Sequence, residues 1–176
     1  MRSVLLTQEP VWHNNCQLPN VIKPWIQETG SLTKRLRSIY GSGVSVSVLS
    51  QSWRVPFFSE SRLLHQREQR VCLVREVLLH LDDMPLVLAR TVIPRQSLKI
   101  NHHLTHLGSR PLGEVLFAYP TLKRVVSQST LVPPTLWAKQ QHIQQAIWGR
   151  RTVYEIHHKQ LLVSEFFLPS VQNNEY

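Results

Sequence analysis

The chain has 176 residues, of which 42% are hydrophobic and 18% charged, and this composition predicts one globular domain over residues 1–176. It has no apolar run of about eighteen residues, and its N-terminal apolar stretch is too short for a secretory signal, which favours a cytoplasmic protein without membrane insertion. The net charge of +9 favours anionic partners, but the basic residues are spread along the chain without a helix-turn-helix or zinc-finger spacing, so we expect no nucleic-acid partner.

The first half of the chain predicts a helix, a strand and a hairpin. Ser31 is placed to cap a helix over residues 32–40, which stops at "GSG". Residues 44–48, "VSVSV", alternate between apolar and small polar side chains, as a half-buried strand does. Residues 74–94 contain two apolar runs joined by Asp82-Asp83, which predicts an antiparallel hairpin.

The second half predicts a helix over residues 96–108 and a turn followed by a strand over 111–126. In residues 127–147 a Pro-Pro pair breaks the chain before a short amphipathic helix, which indicates a lid or crossover. Residues 151–169 form two strand-like runs around "HHKQ". Strands dominate, so we expect an α+β fold, a single antiparallel β-sheet with surrounding helices and flap segments.

Each strand of the first hairpin has one arginine on an otherwise apolar face. A two-residue turn at Asp82-Asp83 would place Arg75 directly opposite Arg90 on the buried face. Because a buried guanidinium needs a negative partner, we consider a protein ion-pair network and a bound anion. Glu76 points to the other face of its own strand, so we favour the anion, and two adjacent guanidinium groups suit a dicarboxylate or a phosphate.

The last strand has a carboxylate in a similar setting. Glu165 shares a face with apolar neighbours and is predicted to be buried. A buried carboxyl group is a candidate general acid or base. The alternative is a salt bridge to Arg75, Arg90 or Arg150, and the pattern alone leaves both readings open.

Four motifs together resemble the chorismate pyruvate-lyase family, in the family's order and over about residues 25–170. The resemblance implies a cofactor-independent and metal-independent carbon–oxygen lyase that acts on chorismate. Its products would be 4-hydroxybenzoate and pyruvate, at the start of ubiquinone synthesis, and we expect a monomer. The motifs are "SLTKRL" (31–36), "REVLLHLDDMPLVLARTVIP" (75–94), "LGSRPLGEVLF" (107–117) and "WGRRTVYEIHHKQLLVSEFFLP" (148–169).

The resemblance also implies roles for site residues. Arg75 matches the family's key arginine, a carboxylate anchor, and Glu165 matches its active-site glutamate, near the C4 hydroxyl. Arg90 would support Arg75 or bind the second carboxylate. Leu32 and Leu112 would bind the substrate through their backbone N–H groups, on flaps that cover the site. Leu32 stands where the family has methionine, and residues 127–147 exceed the family's usual connection, which concerns the lid rather than the site.

Product and substrate share the ring and its carboxylate, so we expect the covered pocket to retain 4-hydroxybenzoate and product release to limit the rate. The first rival is an effector-sensing domain, since such domains of some bacterial transcription regulators resemble this fold. About thirty residues precede the matched region, too few for a DNA-binding domain, which favours the enzyme. A degenerate chorismate lyase that binds chorismate without converting it is the second rival, and a basic RNA-binding accessory protein is the third.

Overall fold

A computed structural model describes residues 3–100 and 102–172, and six strands in this part of the chain form one antiparallel sheet of order β1-β2-β3-β6-β5-β4. This confirms the predicted fold class. Both predicted hairpins are present and pair with each other through β3 and β6 at the centre of the sheet. The strands are β1 Ser45–Arg54, β2 Cys72–Leu81, β3 Met84–Ile93, β4 Lys123–Val132, β5 Ile147–Ile156 and β6 Lys159–Phe167.

Short helices fill the connections. Ser31 caps α2 as predicted, since its side chain accepts a hydrogen bond from the Lys34 N–H. None of the helices in the described part of the chain is long and apolar enough to cross a membrane. The α-helices are α1 Lys23–Ile26, α2 Leu32–Tyr40, α3 Phe58–Leu63, α4 Arg95–Ile100, α5 Leu112–Leu116 and α6 Pro169–Gln172, with 3₁₀ helices at His102–Thr105, Pro134–Leu136 and Lys139–Gln141.

Three sequence predictions for the second half were wrong in detail. Instead of one helix over residues 96–108, the chain forms α4 and a separate 3₁₀ turn. The predicted turn at "PLGEVL" is the helix α5. The predicted lid over residues 127–147 begins as the second half of β4 and continues as two 3₁₀ turns, without an amphipathic α-helix. Proline does end the strand, which stops at Val132.

The register of the first hairpin also differs from the prediction. Asp82 and Asp83 do form the turn, but the pairing shifts between Leu79 and His80 because Leu86 is an extra residue on β3. The pairing of Arg75 with Arg90 was therefore wrong.

Beyond the bulge, Arg75 pairs with Thr91 and Arg90 pairs with Glu76. Directly opposed residues share a face of the sheet. The two arginines consequently lie on opposite faces.

The register divides the buried polar groups between two faces. We call the face that carries Arg75, Thr91, Glu165 and Arg150 the cavity face, because these residues are linked by cross-strand pairing or line one cavity. Its apolar side chains pack against α1, α2 and α6 in one cluster and against α4 and α5 in another. The opposite face packs against the N-terminal segment and α3. The cavity lies where the two clusters of its face meet.

Candidate active site

The cavity lies between the sheet and the N-terminal ends of α2 and α5. We define two flaps, residues 30–33 and residues 111–117, which cover it. It encloses about 60 Å³, whereas sites for drug-sized ligands usually hold about 300–1,000 Å³. The flaps must therefore move apart, or the lining must relax, to admit such a ligand. Its wall is mostly apolar, with two guanidinium groups and one carboxylate.

Arg75 is one of these guanidinium groups, and its side chain has only neutral partners. The residue is 3% exposed, and its Nη1 donates to Gln51 Oε1 at 3.0 Å while Nη2 donates to the Gly108 carbonyl at 2.8 Å. Burial lowers the pKa of Arg75, although the group stays protonated at neutral pH. Among the described residues no carboxylate pairs with it. The observed contacts fix the orientation of the guanidinium and leave its positive charge available for an anion.

Glu165 faces the cavity from β6, opposite Arg150 on β5. Its side chain is 12% exposed, and its Oε2 accepts a hydrogen bond from Arg150 Nε at 2.6 Å. The salt bridge considered from the sequence is therefore present. It does not exclude a chemical role, because the pair lines the cavity and its carboxylate can still accept a second hydrogen bond there.

Leu32 and Leu112 begin the two flap helices. The N–H groups in the first turn of a helix have no acceptor in the preceding turn, and both helices begin at the cavity wall, so the N–H groups of Leu32 and Leu112 are candidate donors to an anion there. The flaps touch each other, since a Cβ atom at Gly113 would lie 2.8 Å from Ser31 Oγ. An ion pair between Arg37 and Glu114 also joins α2 to α5. The flaps therefore form one connected cover.

Arg90 lies on the opposite face, in a buried network of charges. Its Nε and Nη2 donate to the two oxygens of Glu60 at 2.8 and 2.9 Å, and its Nη1 donates to Glu76 at 2.8 Å. Burial alone would lower the pKa of Arg90, but the two carboxylates raise it overall. Arg54 adds a further ion pair to Glu76. For Arg90 the structure therefore shows the protein ion-pair network that was considered from the sequence. One of its two carboxylates is Glu76, which the predicted register had excluded as a partner.

Several cavity residues were not selected as site residues by sequence reasoning, among them Arg150, Thr91 and Tyr154. Arg150 was considered only as a salt-bridge partner, and Thr91 and Tyr154 were not considered. Burial, together with the Glu165 carboxylate, raises the pKa of Tyr154, and its ring packs edge-on against Phe117 at 6.0 Å. Strand alternation on β5 places Arg150 and Tyr154 on one face. Since β5 pairs with the strand of the same hairpin that carries Glu165, this pattern could have identified both residues.

Comparisons with known proteins agree with the geometry. A family model described as chorismate lyase matches residues 6–175. A probable chorismate pyruvate-lyase from Methylococcus capsulatus is 42% identical over 155 residues, covering 85% of this chain and 96% of that protein. A second, from Aromatoleum aromaticum, is 37% identical over 164 residues, covering 88% of each chain.

Among solved structures, the effector domain of PhnF from Mycobacterium smegmatis superposes with a TM-score of 0.55 at 12% sequence identity, covering 81% of this chain and 91% of that one. At this identity the likeness shows a shared fold and nothing about the ligand.

Proposed function

The chain belongs to the chorismate lyase family, and on that premise we propose that it converts chorismate to 4-hydroxybenzoate and pyruvate. The observation that carries the proposal is Arg75, a buried guanidinium at a cavity wall whose hydrogen-bond acceptors are neutral oxygens. Leaving such a charge without a counter-ion is costly, so the site favours an anion. Chorismate, with one carboxylate on its cyclohexadiene ring and one on the enolpyruvyl side chain, has the required charge and suits an apolar cavity.

The reaction is an elimination that balances without an added reactant. The proton on C4 leaves, and its bonding pair forms the C3–C4 double bond that completes the aromatic ring. The C3–O bond breaks with its pair on the enolpyruvyl oxygen, and the departing enolpyruvate takes up a proton on carbon to become pyruvate. Aromatisation drives the step, so the protein's task is to bind the substrate in the reactive conformation and to stabilise the developing charge.

The residues of the cavity have distinct roles in this proposal. Arg75 anchors the ring carboxylate, and the N–H groups of Leu32 and Leu112 complete its hydrogen bonds. Glu165 lies at the C4 hydroxyl, where it orients the substrate or transfers the proton. We leave Arg90 out of the binding site, because its guanidinium lies on the opposite face and both its carboxylate partners are already buried with it.

The flaps give the proposal a kinetic consequence. The connected cover over a cavity of about 60 Å³ must open to release 4-hydroxybenzoate, which keeps every contact of the ring and its carboxylate. Product release therefore limits turnover. We further propose that the protein acts in the cytoplasm as a monomer, with no metal, cofactor or nucleic acid.

Purified protein incubated with chorismate, without added metal, tests the proposal. We expect equal amounts of 4-hydroxybenzoate and pyruvate, and a loss of kcat/KM of at least about 100-fold in Arg75→Ala, the scale of removing a charge-assisted anchor. Arg151→Ala is the matched control: Arg151 is also buried with neutral hydrogen-bond partners, but on the opposite face. A folded wild type that binds 4-hydroxybenzoate and forms neither product would instead be a sensing domain.

A further inference from the structure

We propose that Arg150 is the second carboxylate site, which binds the enolpyruvyl carboxylate of chorismate and at the same time positions Glu165 at the neighbouring carbon. This inference rests on the proposed function and adds a role that sequence reasoning had given to Arg90. It follows from three features of Arg150: how its guanidinium is held, which of its nitrogens remains available, and where it lies relative to Glu165.

Hydrogen bonds from two of its three nitrogens hold the guanidinium of Arg150 in place. Its Nε donates to Glu165 Oε2 at 2.6 Å. Its Nη1 donates to the carbonyl oxygens of Trp25 at 3.0 Å and Glu28 at 2.6 Å, at the end of α1 and just before the first flap. The residue is 1% exposed, and it lines the cavity. No described residue accepts a hydrogen bond from its Nη2, so one nitrogen of a rigidly held cation keeps its donors for a ligand.

The substrate requires a second cation in this cavity. Arg75 can pair with one of the two carboxylates of chorismate, and Arg90 lies on the other side of the sheet. Among the described residues that line the cavity, Arg75 and Arg150 are the two cations. Glu165 stabilises the protonated form of Arg150: burial alone would lower the pKa of Arg150, yet Glu165 raises it overall.

The positions of the reacting groups fit this assignment. The C4 hydroxyl, which we place at Glu165, and the enolpyruvyl ether on C3 are on adjacent carbons. A guanidinium that donates to Glu165 through Nε therefore presents its neighbouring Nη2 next to the C3 substituent. When the C3–O bond breaks, negative charge develops on the enolpyruvyl oxygen, and the same fixed cation stabilises that charge. Arg150 thus contacts the leaving group, whereas Arg75 contacts the part that becomes the product.

The product provides the discriminating measurement, because 4-hydroxybenzoate lacks the enolpyruvyl carboxylate. Arg150→Lys keeps the charge but loses the guanidinium fork, and we expect KM for chorismate to rise about 10- to 100-fold. The inhibition constant of 4-hydroxybenzoate should change by a smaller factor, less than about 3-fold, since the product lacks the enolpyruvyl carboxylate and loses only the positioning of Glu165 by Arg150. Glu165→Gln is the comparison: it alters a contact to the hydroxyl that both molecules carry, so both constants should change by similar factors.

Arg151 supplies the control for a purely structural effect. It is the next residue of β5, is 4% exposed, and points to the opposite face, where it bonds Gln128 and Ser59. Arg151→Lys should lower the melting temperature and leave both constants near those of the wild type.

Equal weakening of chorismate and 4-hydroxybenzoate binding in Arg150→Lys would overturn the inference while leaving the proposed function intact. A wild type without turnover would instead fail the proposed function itself. If the lysine variant does not fold, Arg150→Gln is measured in the same way, with circular dichroism to verify its fold.

Discussion

Replacing Arg90 by methionine tests the division of charges between the two faces of the sheet. Methionine keeps much of the side-chain volume and removes the charge. Arg90, Glu60 and Glu76 are all buried, so the substitution leaves two carboxylates without their shared cation. Breaking a buried ion pair from one side costs about 3–5 kcal/mol. For a chain of this length, about 2–4 °C is lost per kcal/mol, so we expect a decrease in melting temperature of about 6–20 °C.

The contacts of the two carboxylates refine this expectation. Glu76 keeps an ion pair with Arg54 at 3.3 Å and a hydrogen bond from the Val4 N–H at 2.8 Å. Glu60 keeps only the Phe57 N–H, at 2.8 Å, among the contacts the structure shows. The substitution therefore leaves the Glu60 carboxylate with fewer partners than the Glu76 carboxylate. The double variant Arg90→Met with Glu60→Gln should recover at least about 1 kcal/mol of the lost free energy of unfolding.

Urea unfolding at pH 7, with KM for chorismate measured well below the melting temperature, is the assay. KM should stay within about 3-fold of the wild type, because Arg90 does not reach the cavity. An Arg90→Met protein of near-native stability with a KM raised more than about 10-fold would refute the assignment and restore Arg90 as a substrate ligand.

Three further substitutions or treatments follow from local geometry. Burial raises the pKa of the Cys72 thiol to about 11. In the native protein a thiol reagent at pH 8 should therefore modify the half-buried Cys16, and it should modify both cysteines only after unfolding. Equal reactivity of the two cysteines in the native protein would contradict the burial of Cys72. Gly149→Ala should lower the free energy of unfolding by about 1–3 kcal/mol and reduce kcat, because the added Cβ would lie 2.6 Å from the Phe166 ring and 3.1 Å from the Glu165 carbonyl oxygen. An unchanged urea midpoint would show that the strand adjusts freely. A Cβ atom at Gly108 would meet no atom within 4 Å, but this residue has a φ of +53°. We therefore expect Gly108→Ala to lower the free energy of unfolding by about 1–2 kcal/mol from backbone strain alone, and to raise KM because the Gly108 carbonyl holds Arg75. A stabilised variant would exclude the left-handed conformation.

The sequence by itself determined the fold class and two of the important charges. Alternation along a strand has a period of two residues, and it identified Arg75 and Glu165 as polar groups on apolar faces without any knowledge of their partners. The capping serine of α2 and the two hairpins were also predictable, because caps and turns depend on residues close in the chain.

Tertiary structure decided which charges meet. One extra residue at Leu86 shifts the register of β3 and sends Arg90 to the face opposite Arg75, a consequence that a period of two makes unavoidable. Glu60 reaches Arg90 from α3, thirty residues away in the chain, and no local pattern could supply that partner. The same holds for Arg150, because the carbonyl groups that hold it, in α1 and just after it, approach β5 only in the folded chain. Local sequence specifies periodicity and turns, whereas register and long-range packing place a buried charge in a substrate cavity or in a structural network.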